Sequence, residues 1–200
     1  MCVVHHADAR PCLRLPPVAV RSFYPLEAAV DARYYGRVAS APWRDDAASL
    51  DDFATHFTVS WYQSSKDDAV AAAGAPTASR AAVPPLLGRE ALEAAAAAEG
   101  YDWAAADVAL RAALRELFGA AGDRFVGPFP PGRALYGCDV LFERSDGGAA
   151  LQPRLLEVNF CGDLATLLTR VPGGAPTFVA DVFRYLFAGQ ADAAGHLQPL

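Results

Sequence analysis

Two runs near the C-terminus dominate the pattern of apolar and polar positions. Residues 133–144 and 151–160 both read as strands, and Ser145-Asp146-Gly147-Gly148 lies between them. Asp and Gly accept the positive backbone angles of tight turns, so the two runs are predicted to pair as an antiparallel hairpin. Further upstream, Pro16-Pro17 opens a run over 18–26 that reads as a strand, since proline at a strand start removes no interior ladder bond. The alanine-, valine- and tyrosine-rich run 27–39 is its expected antiparallel partner, through a turn near Pro25. Phe57-Thr58-Val59-Ser60-Trp61-Tyr62 has the aromatic and β-branched content of a short strand or extended segment.

Helical spacing appears over 89–99 and 103–121. In the second of these, Val108, Leu110, Ala113, Leu114, Leu117 and Phe118 form the expected core stripe, with Asp102 as a cap and Gly122 as a stop. A helix over 176–188 presents Phe178, Val182, Tyr185 and Leu186 on one face, and Leu164 begins a helical turn that Asp163 is placed to cap. Residues 63–87 are alanine, glycine, serine and proline with few large apolar side chains, so they are expected to form a mobile surface loop. This mixture of elements predicts an α+β fold. The expected organisation is an irregular segment over 1–17, a domain over 18–188 and a tail over 189–200.

Composition narrows the functional classes. The hydrophobic fraction is 53%, but much of it is alanine, and no uncharged apolar run approaches the roughly 18 residues of a membrane span, so no membrane partner is expected. Met1-Cys2-Val3-Val4-His5-His6 lacks the basic region and long apolar core of a secretory signal, and the four cysteines show no CxxC spacing. Reduced thiols and a cytoplasmic location are the expectation. The net charge of −6 argues against nucleic acid as a general partner.

Candidate chemistry gathers on the C-terminal hairpin. Residues two apart on a strand share a face, so Glu157 and Asn159 project together, while Leu156, Val158 and Phe160 project oppositely. Asp139 lies on the partner strand, and a turn near Asp146-Gly147 sets it opposite the neighbourhood of 154–157. Three oxygen donors then converge, a set suited to Mg²⁺, which keeps several waters and takes further ligands from substrate phosphates. The alternative is a solvated sheet face with Asn159 ending the strand.

Leu155-Leu156-Glu157-Val158-Asn159-Phe160 resembles the LLEVN motif of the tubulin-tyrosine ligase-like family, and Tyr136-Gly137-Cys138-Asp139-Val140-Leu141 resembles its preceding G-x-D-V strand. Gly36-Arg37-Val38-Ala39-Ser40 is similar to the family's A-R-F-A-T segment, and His56-Phe57-Thr58 to its H-L-T-N motif. Leu50-Asp51-Asp52-Phe53, and Pro176-Thr177-Phe178 with Asp181-Val182-Phe183, look most like one divergent branch. The resemblance spans 18–188 with a gap in the alanine-rich loop.

This resemblance implies the C-terminal part of an ATP-grasp domain, an antiparallel sheet with packed helices. It implies ATP and Mg²⁺ as cofactors, with Asp139, Glu157 and Asn159 on the metal, Thr58 beside them toward ATP, and Arg37 as the catalytic residue facing the transferring phosphate. Tubulin or another acidic-tailed protein is the implied partner, in a cytoplasmic and microtubule-associated setting. Some positions depart from the family pattern. Lys66 is the only lysine, Val59 replaces an asparagine, Cys12-Leu13-Arg14-Leu15-Pro16 does not preserve the K-F-D-x-R strand, and Cys161-Gly162-Asp163 keeps the acid but loses a proline. Two activities stay open: amino-acid ligation to a carboxylate, or a regulatory binding module that modulates tubulin or histone modification without ligating. Alone, the chain is expected to be inactive, because the lysine-bearing half of the nucleotide site is absent.

Overall fold

The computed structural model describes residues 12–37, 46–47, 86–122, 124, 132–144, 150–160, 162, 164–170, 177–190 and 195–200, with 12–15, 37 and 170 as backbone only. Among these residues the chain runs β1 (Cys12–Phe23), β2 (Leu26–Asp31), β3 (Tyr35–Arg37), β4 (Leu86–Gly88), α1 (Arg89–Ala98), α2 (Trp103–Gly122), β5 (Ala134–Arg144), β6 (Leu151–Phe160), α3 (Leu164–Arg170), α4 (Phe178–Phe183) and β7 (Leu197–Pro199). A π-helical turn, Arg184–Ala188, continues α4, so the helix predicted over 176–188 is helical from Phe178 on. The architecture is α+β, and every strand pairing among the described residues is antiparallel.

β1 is the spine of the sheet. One flank pairs with β5, and the other pairs with β3 at its start and β2 at its end. Two prolines explain the divided flank. Pro16 and Pro17 have no N–H to give a neighbour, and the register with β5 slips between Arg14 and Pro17. On the other side β2 stops at Asp31 and β3 begins at Tyr35. The single strand predicted over 27–39 is therefore two strands, and β1 begins at Cys12 rather than at Val18. Proline sits inside this strand at a register break, where the missing donor is tolerated. Leu197–Pro199, within the expected tail, adds β7 to the outer edge of β2.

Helices cover both faces of the sheet. Inward residues alternate along β1 and β5, so Val18, Val20, Tyr136, Cys138, Val140 and Phe142 meet Leu92 and Ala96 of α1 and Trp103, Leu110, Leu114 and Phe118 of α2. The opposite parity, Ala19, Tyr35 and Leu135, meets Leu164, Leu167, Phe178, Val182 and Leu186. Large side chains buried this fully contribute about 1.5–3 kcal/mol each. In α2 the buried line runs Trp103, Ala106, Leu110, Leu114, Phe118, and Asp102 caps it by accepting from Ala105 N–H at 3.0 Å. Val108 and Ala113, expected on the core stripe, face outward instead. Val108 lies about 120° around the helix from the middle of the Leu110–Leu114–Phe118 line, and Ala113 lies at its edge, about 60° from Leu110.

A buried ion cluster fastens α4 to the break between β2 and β3. Arg33 Nε and Nη2 donate to the two oxygens of Asp31 at 2.8 and 2.6 Å, and its Nη1 donates to Asp181 at 2.8 Å and to Thr177 Oγ1 at 3.0 Å. Asp31 is fully buried. Burial works against the charge on Arg33, but the bonds and charges of Asp31 and then Asp181 more than offset it, so its pKa is raised. Its guanidinium also lies over the Phe178 ring, 5.3 Å from the centroid.

A carboxylate rung on the C-terminal hairpin

The predicted hairpin forms over Ala134–Arg144 and Leu151–Phe160, and Asp139 is the ladder partner of Glu157. Directly opposed residues of an antiparallel pair share a face, with Cβ atoms about 4.5–5.5 Å apart. Asn159 is the partner of Gly137, one rung along on the same face, and its Nδ2–H donates to Glu157 Oε1 at 2.8 Å. This bond fixes the amide with Nδ2 toward Glu157 and Oδ1 as its acceptor end. The three oxygen-bearing side chains expected to converge are thus neighbours on one side of the sheet.

Local backbone irregularity shapes this rung. Asp139 pairs with Glu157 but Val140 pairs with Leu155, so Leu156 is an extra residue on β6. The β-bulge explains a departure from simple alternation: Leu155 and Leu156 are 39% and 44% exposed. Val158 keeps its expected place and packs against the α1/α2 core. Phe160 is on that side too, its ring 4.9 Å from Tyr136, although 72% of it remains exposed. Glu157 is exposed, while Asp139 and Asn159 are half-buried. The solvent side of the rung is therefore at Glu157 and its sheltered side at Asp139.

The donor set is all oxygen, two carboxylates and an amide. No cluster of three His, Cys, Asp or Glu side chains suited to a metal occurs among the described residues. Two carboxylates beside an amide are oxygen-donor chemistry, which hard cations such as Mg²⁺ prefer and structural zinc sites rarely use alone. Cys138, adjacent in sequence, points into the opposite core; burial, with a contribution from Asp139, pushes its thiol up to about 12, so it is a packing residue rather than a nucleophile.

Arg37 lies on β3, paired with Cys12, and Cys12 pairs in turn with Leu141. Its backbone is thus two strands across and two residues along from Asp139, about 12 Å away by ladder spacing. Asp31 is held by Arg33. Thr58, together with His56, Val59 and Lys66, lies outside the described residues. Arg14 was not expected in the sheet, yet its backbone is the ladder partner of Asp139 on β1. Its signal was hidden because Pro16-Pro17 reads as a strand start, which leaves Arg14 outside the sheet.

No protein-family model matches the chain, and no curated protein matches its sequence. No helix among the described residues is long and apolar enough to cross a membrane.

Proposed function

We propose that the chain is the C-terminal part of an ATP-grasp domain of the tubulin-tyrosine ligase-like type, and that its rung of Asp139, Glu157 and Asn159 holds Mg²⁺ with ATP. The observation that carries this reading is the direct opposition of Asp139 and Glu157, with Asn159 hydrogen-bonded beside them. All three come from the two segments that resemble consecutive motifs of that family. Bound there, Mg²⁺ would offset charge on the phosphate oxygens during phosphoryl transfer to a carboxylate. In this reading Asp139 and Glu157 supply the negative charge that retains the cation, and Asn159 contributes a neutral oxygen. Arg37 neutralises the transferring phosphate, and Thr58 contacts the nucleotide. The product acyl-phosphate would be attacked by an amino-acid amine, forming an amide and releasing phosphate. The acceptor would be the acidic tail of tubulin or of a similar protein in the cytoplasm.

A second reading is favoured by particular residues: Lys66 is the only lysine and Val59 replaces the asparagine of the family motif. It makes the chain a regulatory module that engages tubulin or histone modification without ligating, as the resemblance to the branch of tubulin-tyrosine ligase-like protein 12 suggests. Calorimetric titration tests the nucleotide half of both readings. The chain is expected to bind Mg-ATP weakly, with Kd in roughly the millimolar range and about −4 kcal/mol of binding free energy. It should not bind ATP in the presence of a chelator, and it should show no turnover. Equal heats with and without Mg²⁺ would refute the metal-dependent site.

A further inference from the structure

Gly137 is the ladder partner of Asn159 and lies two residues from Asp139 on β5. A Cβ built on Gly137 would stand 2.9 Å from Gly162 Cα, and one built on Gly162 would stand 2.9 Å from Gly137 Cα. The contact is reciprocal and lies between two stretches of backbone, so neither side can relieve it by swinging a flexible side chain away. Neither glycine has a positive φ. Space, not backbone angle, is what requires glycine at these two positions.

Three residues past Asn159, then, the chain has turned back across the sheet and is seated on β5. Leu164 N–H donates to the Gly162 carbonyl at 2.6 Å, and α3 continues from there, packing Leu164, Leu167 and Leu168 with Ala19 and Leu135. Along this face of β5 the order is Leu135 beneath the helices, Gly137 beneath Gly162, then Asp139 in its rung with Glu157. The glycine contact is the border between the apolar layer and the oxygen cluster.

We propose that Gly137 and Gly162 are a positioning pair for the rung: their contact fixes where the chain leaves β6, and so holds the Asn159 amide against Glu157. Its consequence for ligand binding rests on the reading of the rung as a Mg-ATP site; its consequence for Asn159 does not. Gly137→Ala and Gly162→Ala put a methyl into the same gap from opposite sides. Gly119→Ala, on α2 with no atom within 4 Å of its Cβ position, is the control.

The direct readout is the side-chain amide resonance of Asn159 in ¹H–¹⁵N NMR spectra, read beside the melting temperature and Mg-ATP affinity. Both rung variants are expected to move that resonance and to weaken Mg-ATP binding by roughly 5- to 50-fold, as a displaced supporting shell does. Gly119→Ala should change neither. An unmoved Asn159 resonance in a folded Gly137→Ala or Gly162→Ala protein, even with a lower melting temperature, would overturn the proposal by reducing the contact to a packing role. Should Gly137→Ala fail to fold, Gly162→Ala, which adds its methyl outside the strand, carries the test. If the unaltered chain binds no Mg-ATP, the reading of the site fails, and the Asn159 resonance still decides the positioning pair.

Discussion

Arg33→Met is expected to lower the melting temperature by about 6–20 °C, the equivalent of roughly 3–5 kcal/mol in a chain of this size. The size of the effect follows from what the substitution leaves behind. Asp31 and Asp181 are both buried, and the Arg33 guanidinium donates to them three bonds of 2.6–2.8 Å, while Arg184 stands 3.7 Å from the other Asp181 oxygen. Removing the guanidinium leaves Asp31 with the backbone N–H of residue 33 and Asp181 with the more distant Arg184, too little to offset two buried negative charges. Methionine keeps most of the volume, so the loss reports charge rather than a cavity. Arg33→Lys should fall between, because an ammonium cannot make the two-pronged bond to Asp31. Thermal unfolding followed by circular dichroism measures both variants. A change below about 1 kcal/mol in Arg33→Met would show that the cluster does not hold α4 to the sheet.

Glu157→Gln is expected to weaken divalent-cation binding by about 10- to 100-fold while changing folding stability by less than about 1 kcal/mol. The contrast with Arg33 comes from exposure. Glu157 is open to solvent, so its loss costs the fold little, and glutamine can still accept from Asn159 through its amide oxygen. A cation at the rung, however, loses one full charge at contact distance, worth a few kcal/mol at an effective dielectric near 20 and less where water reaches. Asp139→Asn should act similarly on binding and cost more stability, because Asp139 is half-buried. Calorimetry with Mg²⁺ and with Mg-ATP separates the terms. Unchanged affinity in Glu157→Gln would place the cation elsewhere.

The hairpin and the approximate place of its rung were legible in the sequence. A turn-forming Ser-Asp-Gly-Gly between two strand-like runs sets Asp139 opposite the neighbourhood of 154–157, and the bulge at Leu156 is what brings Glu157 itself opposite Asp139. Helices α1 and α2 were legible for a similar reason, although the three-and-four rule alone admitted Val108 and Ala113, which the buried line excludes. The bulge at Leu156 was not legible. A bulge depends on how two strands twist against each other, and no residue type marks this one. The first half of β1 was hidden by its prolines, which interrupt a strand here instead of starting it. The Asp31–Arg33–Asp181 cluster joins residues up to 148 positions apart, a pairing that only the packing of α4 against β2 creates. Gly137 and Gly162 were visible as glycines, but their mutual contact requires the chain to fold back over the sheet.

Paramagnetic relaxation by Mn²⁺, which shares the oxygen preference of Mg²⁺, tests the central claim most directly. At substoichiometric Mn²⁺ the account predicts that NMR signals of residues 138–140 and 157–159, together with the Asn159 side-chain amide, broaden before any others. The same signals should stay sharp in Glu157→Gln. Broadening that is uniform, or that begins at another carboxylate such as Asp102 or Glu143, would contradict a cation site at Asp139, Glu157 and Asn159.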